Sequence, residues 1–88
     1  MSQPRTAPEF AEAPTDRPRE RLDVVEDGPP APLKQTLELL ADLPDETVLI
    51  QFNDRAPQYL YPKLEERGYA FETVEVDDLV VTAIWRSR

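Results

Sequence analysis

The chain contains no cysteine and no histidine. The first absence rules out a disulfide framework and a cysteine nucleophile. The second removes the commonest general base and the commonest metal ligand, and together they exclude a zinc site of the Cys/His kind. No apolar run approaches the length of a membrane span. The N-terminus has no apolar h-region, so no secretory signal is expected and the expected compartment is the cytoplasm. Lysine is scarce as well: Lys34 and Lys63 are the only two among ten basic residues. A length of 88 residues allows one small domain.

Acid is abundant. The formal net charge is −8. Arg5, Arg17, Arg19 and Arg21 balance Glu9, Glu12, Asp16 and Glu20, so the whole excess falls on residues 22–88, with fourteen acids against six bases. Nucleic acid is a poor partner for such a surface, because binding needs a basic footprint. Acid-rich, lysine-poor usage suits a salt-rich cytoplasm, where screening lowers the cost of self-repulsion. An ordinary acidic protein is the alternative, and the reading leans to the halophile.

Residues 1–20 read as a disordered, proline-rich tail. Pro4, Pro8, Pro14 and Pro18 interrupt it, mixed charges fill the gaps, and Phe10 is its one large apolar side chain after Met1. Phe10 with Ala11 and Ala13 is either a short docking motif or a chance hydrophobe, and the second reading is favoured. Residues 21–88 read as the folded domain. Strand one is expected over 22–25, followed by a loop in which Gly28 supplies backbone freedom before Pro29 and Pro30.

An amphipathic helix follows from about Pro32 to Asp42, with Leu33, Thr36, Leu37, Leu40, Ala41 and Leu43 on one face. Burying each leucine is worth about 1.5–3 kcal/mol. Strand two is expected over 46–52, and residues 53–57 form a polar connection. A second helix begins near residues 59–61, because only a start there puts Pro62 in the first turn, where N–H groups lack partners anyway. Gly68 ends it.

Strands three (70–76) and four (79–86) are joined by Asp77-Asp78. A two-residue turn sets Val76 opposite Leu79 and Phe71 opposite Ile84. The order is β-α-β-α-β-β. It implies an α/β (α+β) two-layer sandwich, a four-stranded mixed sheet with two helices on one face and the other face open. Val74, Val76, Leu79, Val81, Ala83 and Trp85 are expected under the helices. Leu49, Phe71, Val80 and Ile84 are then expected on the open face as an apolar interaction surface.

Leu22-Asp23, followed by Pro30, Pro32 and Leu33 at the opening of a helix, resembles the signature of the small TusA/SirA-like sulfur carriers. Those proteins place Cys-Pro-x-Pro there, and their cysteine position falls on Pro29. The likeness is closer to the uncharacterised DUF2249 family, whose members typically lack that cysteine. It rests on Asn53-Asp54, Pro57 and Leu64-Glu65-Glu66-Arg67-Gly68-Tyr69. A histidine often follows the Asn-Asp pair in that family, and Arg55 stands there in this chain. The resemblance covers about residues 22–86. It implies the TusA-like fold and no agreed activity.

In this topology the loops 26–32 and 53–57 lie side by side at the helix starts, where ligands favour α/β sheets. Pro29, Pro30, Pro32, Asn53, Asp54 and Arg55 are therefore the candidate binding residues. The weightier alternative is that the prolines only shape the turn and that Asn53 or Asp54 caps it. The acid pairs Glu26-Asp27, Glu65-Glu66 and Asp77-Asp78 read as solvated surface rather than metal ligands. Tyr59, Tyr61, Tyr69 and Trp85 read as core and rim rather than a stacking platform. No catalytic residue, metal or cofactor is expected. The function expected is a non-catalytic accessory or protein-interaction module, with another protein as partner, no membrane and no nucleic acid, and a monomer or weak homodimer as its state. The alternative is a component of sulfur-transfer or redox metabolism acting without its own thiol.

Overall fold

The structure is a computed structural model that describes residues 7–26 and 31–86. The elements run β1 (Arg19–Asp23), α1 (Ala31–Asp42), β2 (Val48–Asn53), α2 (Leu60–Glu66), β3 (Tyr69–Val76) and β4 (Leu79–Arg86). The four strands form one sheet in the order β1-β2-β4-β3. β1 and β2 are parallel, and both remaining pairs are antiparallel. This is the four-stranded mixed sheet with two helices that the alternation of elements implies.

Local chemistry accounts for the element boundaries. Asp77 and Asp78 take φ of 50° and 65°, the left-handed pair of a tight primed hairpin turn. The turn places Val76 opposite Leu79 and Phe71 opposite Ile84, as its two-residue length demands. α2 starts at Leu60, so Pro62 falls in the first turn. Gly68, at φ +81°, follows the helix and its N–H donates to the Glu65 carbonyl at 3.2 Å, the glycine stop of a helix. β1 begins three residues before its expected start, at Arg19, because the Val48 N–H donates to the Pro18 carbonyl at 2.8 Å and carries the pairing upstream.

The faces are reversed from expectation. Leu49, Ile84 and the flanking Phe71 pack with Leu40, Leu60 and Leu64 beneath the helices. Leu49 and Ile84 have no exposed surface and Val80 is buried, so Leu49, Phe71, Val80 and Ile84 form no open interaction surface. Tyr61 of α2 stacks on Phe71 with ring centroids 4.7 Å apart. The opposite face carries Val48, Ile50, Phe52, Val81, Ala83 and Trp85. It is not open either: residues 7–18 cross it as a strap that puts Ala13 into the cluster and packs Ala7 and Phe10 against it.

The expected unpacked tail is thus corrected over the described part of its length, while residues 1–6 lie outside the described residues. The physical reason is that all of β2 and nearly all of β4 are buried on both faces, and such strands carry apolar side chains on both sides. Strand parity sorted the side chains into two correct sets, but hydrophobicity did not tell which set the helices cover.

Candidate functional site

The C-terminal end of β2 feeds the connection to α2 beside the start of α1. Asn53, the last residue of β2, is nearly fully buried. Its Oδ1 accepts the Asp54 N–H at 2.8 Å and the Arg55 N–H at 3.4 Å, which folds the chain into an Asx turn. The Arg55 guanidinium lies against the Asp54 carboxylate, with Nε to Oδ1 at 3.2 Å and Nη2 to Oδ2 at 3.5 Å. Both side chains are well exposed, so the pair adds little stability. It does orient Arg55 at the rim.

These residues border a pocket of about 450 Å³. Pro32, Asn53, Asp54 and Arg55 are on its walls, as are Leu33, Ala56, Pro57, Gln58, Tyr59 and Leu60, which were not among the expected binding residues. The Ala56-Pro57 pair lies in the connection already suspected, and Tyr59 directly precedes α2, so proximity in sequence was the available signal. Tyr59 is 83% exposed, the one large hydrophobic side chain so open among the described residues. Pro29 and Pro30 lie outside the described residues.

A buried polar pair adjoins Pro32, one of the lining residues. The Thr36 hydroxyl donates to the Pro32 carbonyl at 2.7 Å and accepts from Gln51 Nε2 at 2.7 Å. Thr36 and Gln51 are fully buried. Gln51 Oε1 has no hydrogen-bond partner among the described residues. Further along the same sheet face, Tyr61 Oη and Thr73 Oγ1 lie 2.7 Å apart, and Thr73 and Thr82 hydroxyls 3.1 Å apart.

The other aromatic side chains do not gather at the pocket. Tyr61 belongs to the stack on Phe71. Tyr69 lies under the Arg86 guanidinium at 4.6 Å, and Trp85 faces the strap. Glu65, Glu66, Asp77 and Asp78 are exposed, and no cluster of three potential metal ligands occurs among the described residues.

The carboxyl group with a distinct environment is Glu72 on β3. Its oxygens accept the backbone N–H groups of Ala11 at 2.7 Å, Glu12 at 2.7 Å and Ala13 at 3.0 Å. Desolvation pushes its pKa up, but these three donors outweigh it and hold the carboxyl below its ordinary value of 4.5.

A family model described as an uncharacterized conserved protein, DUF2249, matches residues 21–86. No curated protein and no solved structure matches the chain. The matched segment runs from within β1 to the end of β4. It contains both helices, the whole β2–α2 connection and Glu72, and leaves the strap outside. On that match, which spans most of its length, the chain belongs to the DUF2249 family.

Proposed function

We propose that this chain is a non-catalytic protein-interaction module that docks a partner protein at the pocket between the start of α1 and the β2–α2 connection. The observation that carries the reading is the pocket itself. Leu33, Pro57 and Leu60 give it an apolar lining, and Arg55 and a Tyr59 that is 83% exposed line it as well. Tyrosine and arginine beside an apolar notch are the side chains that anchor protein interfaces. A composition without cysteine or histidine supports binding over nucleophilic or imidazole chemistry.

The order β-α-β-α-β-β and the prolines at the α1 start support kinship with the TusA-like carriers. Pro29 at their cysteine position leaves no thiol to hold a persulfide. A role in sulfur transfer is therefore that of an accessory acting through contact alone. A cytoplasmic location, a monomeric or weakly dimeric state and a salt-rich source complete the reading. The last is supported by the −8 net charge and the scarcity of lysine.

The test is capture from native cytoplasm at native salt, comparing the wild-type chain with Tyr59→Ala and with Lys63→Ala, an exposed change outside the pocket. A protein held by wild type and Lys63→Ala but lost on Tyr59→Ala is expected. Identical capture by all chains would overturn the assignment of the pocket. Covalent label on this chain after incubation with a cysteine desulfurase and labelled cysteine would overturn the non-catalytic reading.

A further inference from the structure

The sheet face turned away from the helices is far more apolar than its cover. Val48, Ile50, Phe52, Val81, Ala83 and Trp85 form it, whereas the strap packs Ala7, Phe10 and Ala13 against it, with Pro8 and Pro14 half-buried beside them. The strap forms neither helix nor strand over residues 7–18. Its polar attachment is concentrated at two places. Glu72 gathers the three successive N–H groups of Ala11, Glu12 and Ala13, and the Arg17 guanidinium donates to the Arg86 carbonyl at 2.8 Å.

Three consecutive backbone donors converging on one anion make a nest, a feature of backbone conformation rather than of side chains. Any extended segment that adopts the same turn presents the same donors. The Val48 N–H bond to the Pro18 carbonyl fixes the chain at the base of the strap. Lifting of residues upstream of Pro18 therefore leaves the β1–β2 pairing whole. A bare face of this composition would be a contiguous apolar patch of the kind that monomers rarely expose.

We propose that this face is a second docking surface, distinct from the pocket. Its ligand is an extended protein segment with the strap's own pattern, an aromatic residue followed three positions later by a small one whose neighbouring N–H groups meet Glu72. Residues 7–18 occupy the surface in cis, and a partner segment takes it by displacing them.

Charge identifies the partner further. The strap carries Glu9, Glu12 and Asp16, all exposed, against one base, Arg17, and the net charge of the chain is −8. A segment with the same pattern and basic residues at those positions carries the sign opposite to that net charge, which favours its association over that of the strap's own sequence.

The test uses the full-length chain carrying Phe10→Asp, which removes the strap's one aromatic anchor, and a fluorescein-labelled peptide of residues 7–18 followed by anisotropy. The peptide is expected to bind the Phe10→Asp chain roughly tenfold or more tighter than wild type, whose tethered strap competes at a high effective concentration. Binding is expected to fall when Glu72→Gln is added to the chain or Phe10→Asp to the peptide. It is expected to rise with Glu9→Lys and Glu12→Lys in the peptide, most at low salt. Amide exchange checks the chain itself, and β2 and β4 should stay protected while residues 7–18 lose protection. A folded Phe10→Asp chain that takes up no peptide, or that takes the Phe10→Asp peptide equally well, overturns the proposal. So does loss of β2 and β4 protection along with the strap, since the strap is then inseparable from the core. A chain that instead dimerises through the bared face in sedimentation, without taking the peptide, also refutes it.

Discussion

Thr36→Val isolates the buried polar pair next to Pro32. Valine has nearly the shape of threonine, so packing is kept and only the hydroxyl goes. That hydroxyl makes two 2.7 Å contacts, donating to the Pro32 carbonyl and accepting from Gln51 Nε2. Its loss leaves the whole Gln51 amide unpaired in a site without exposed surface, because Gln51 Oε1 already has no partner among the described residues. An orphaned buried polar group costs about 1–3 kcal/mol. In a domain of this size each kcal/mol moves Tm by about 4–8 °C, so a fall of roughly 5–20 °C is expected.

Gln51→Leu alone removes the orphaned oxygen, keeps most of the volume and leaves Thr36 bonded to Pro32. Its expected effect is within about 1 kcal/mol of zero. In the Thr36→Val background the same change restores most of the lost stability, and the coupling between the sites equals that recovery. Urea unfolding followed by the fluorescence of Trp85, the single tryptophan, reads all four corners of the cycle. A Thr36→Val chain as stable as wild type, or no rescue by Gln51→Leu, would show that Gln51 is solvated.

Three further outcomes are expected. Replacing Asp77-Asp78 by Asn-Gly should raise the urea midpoint by the equivalent of about 1–2 kcal/mol, because both aspartates sit at positive φ, a conformation Asn and Gly adopt at lower cost. Glu72 has a folded pKa below its ordinary 4.5, so its contribution is complete above that value and is lost as pH falls through the lower, folded one. Acid titrations of wild type and Glu72→Gln should therefore show a stability gap that is constant near neutrality and closes on the acid limb. The chain should also melt higher in molar potassium chloride than in dilute buffer, since ions screen the repulsion among fourteen acids and six bases in residues 22–88. A flat or inverse salt response in thermal melts would remove the halophile reading.

What the sequence made legible is what short-range chemistry decides. The turn Asp77-Asp78 dictated the whole β3–β4 register, down to Phe71 opposite Ile84. Pro62 dictated where α2 begins. The β-α-β order placed the β2–α2 connection beside the α1 start, which is how Pro32, Asn53, Asp54 and Arg55 come to line one pocket. The rest of that pocket, Tyr59 and Leu60 above all, was hidden because a residue entering a helix has no pattern that tells rim from core.

The strap was hidden for a different reason. Its polar hold on the sheet includes three backbone N–H groups on Glu72, and backbone donors leave no mark in composition. One signal did exist, in β2. Val48, Leu49, Ile50 and Phe52 are apolar on both sides of the strand, and a strand buried on both faces needs two covers. Two helices joined by short connections supply one cover. The only remaining length of chain able to supply the other precedes β1, and its large apolar side chain in the described part is Phe10. Weighing covers against faces would have turned Phe10 from a chance hydrophobe into an anchor, and would have left no open face on which to place Phe71 and Ile84.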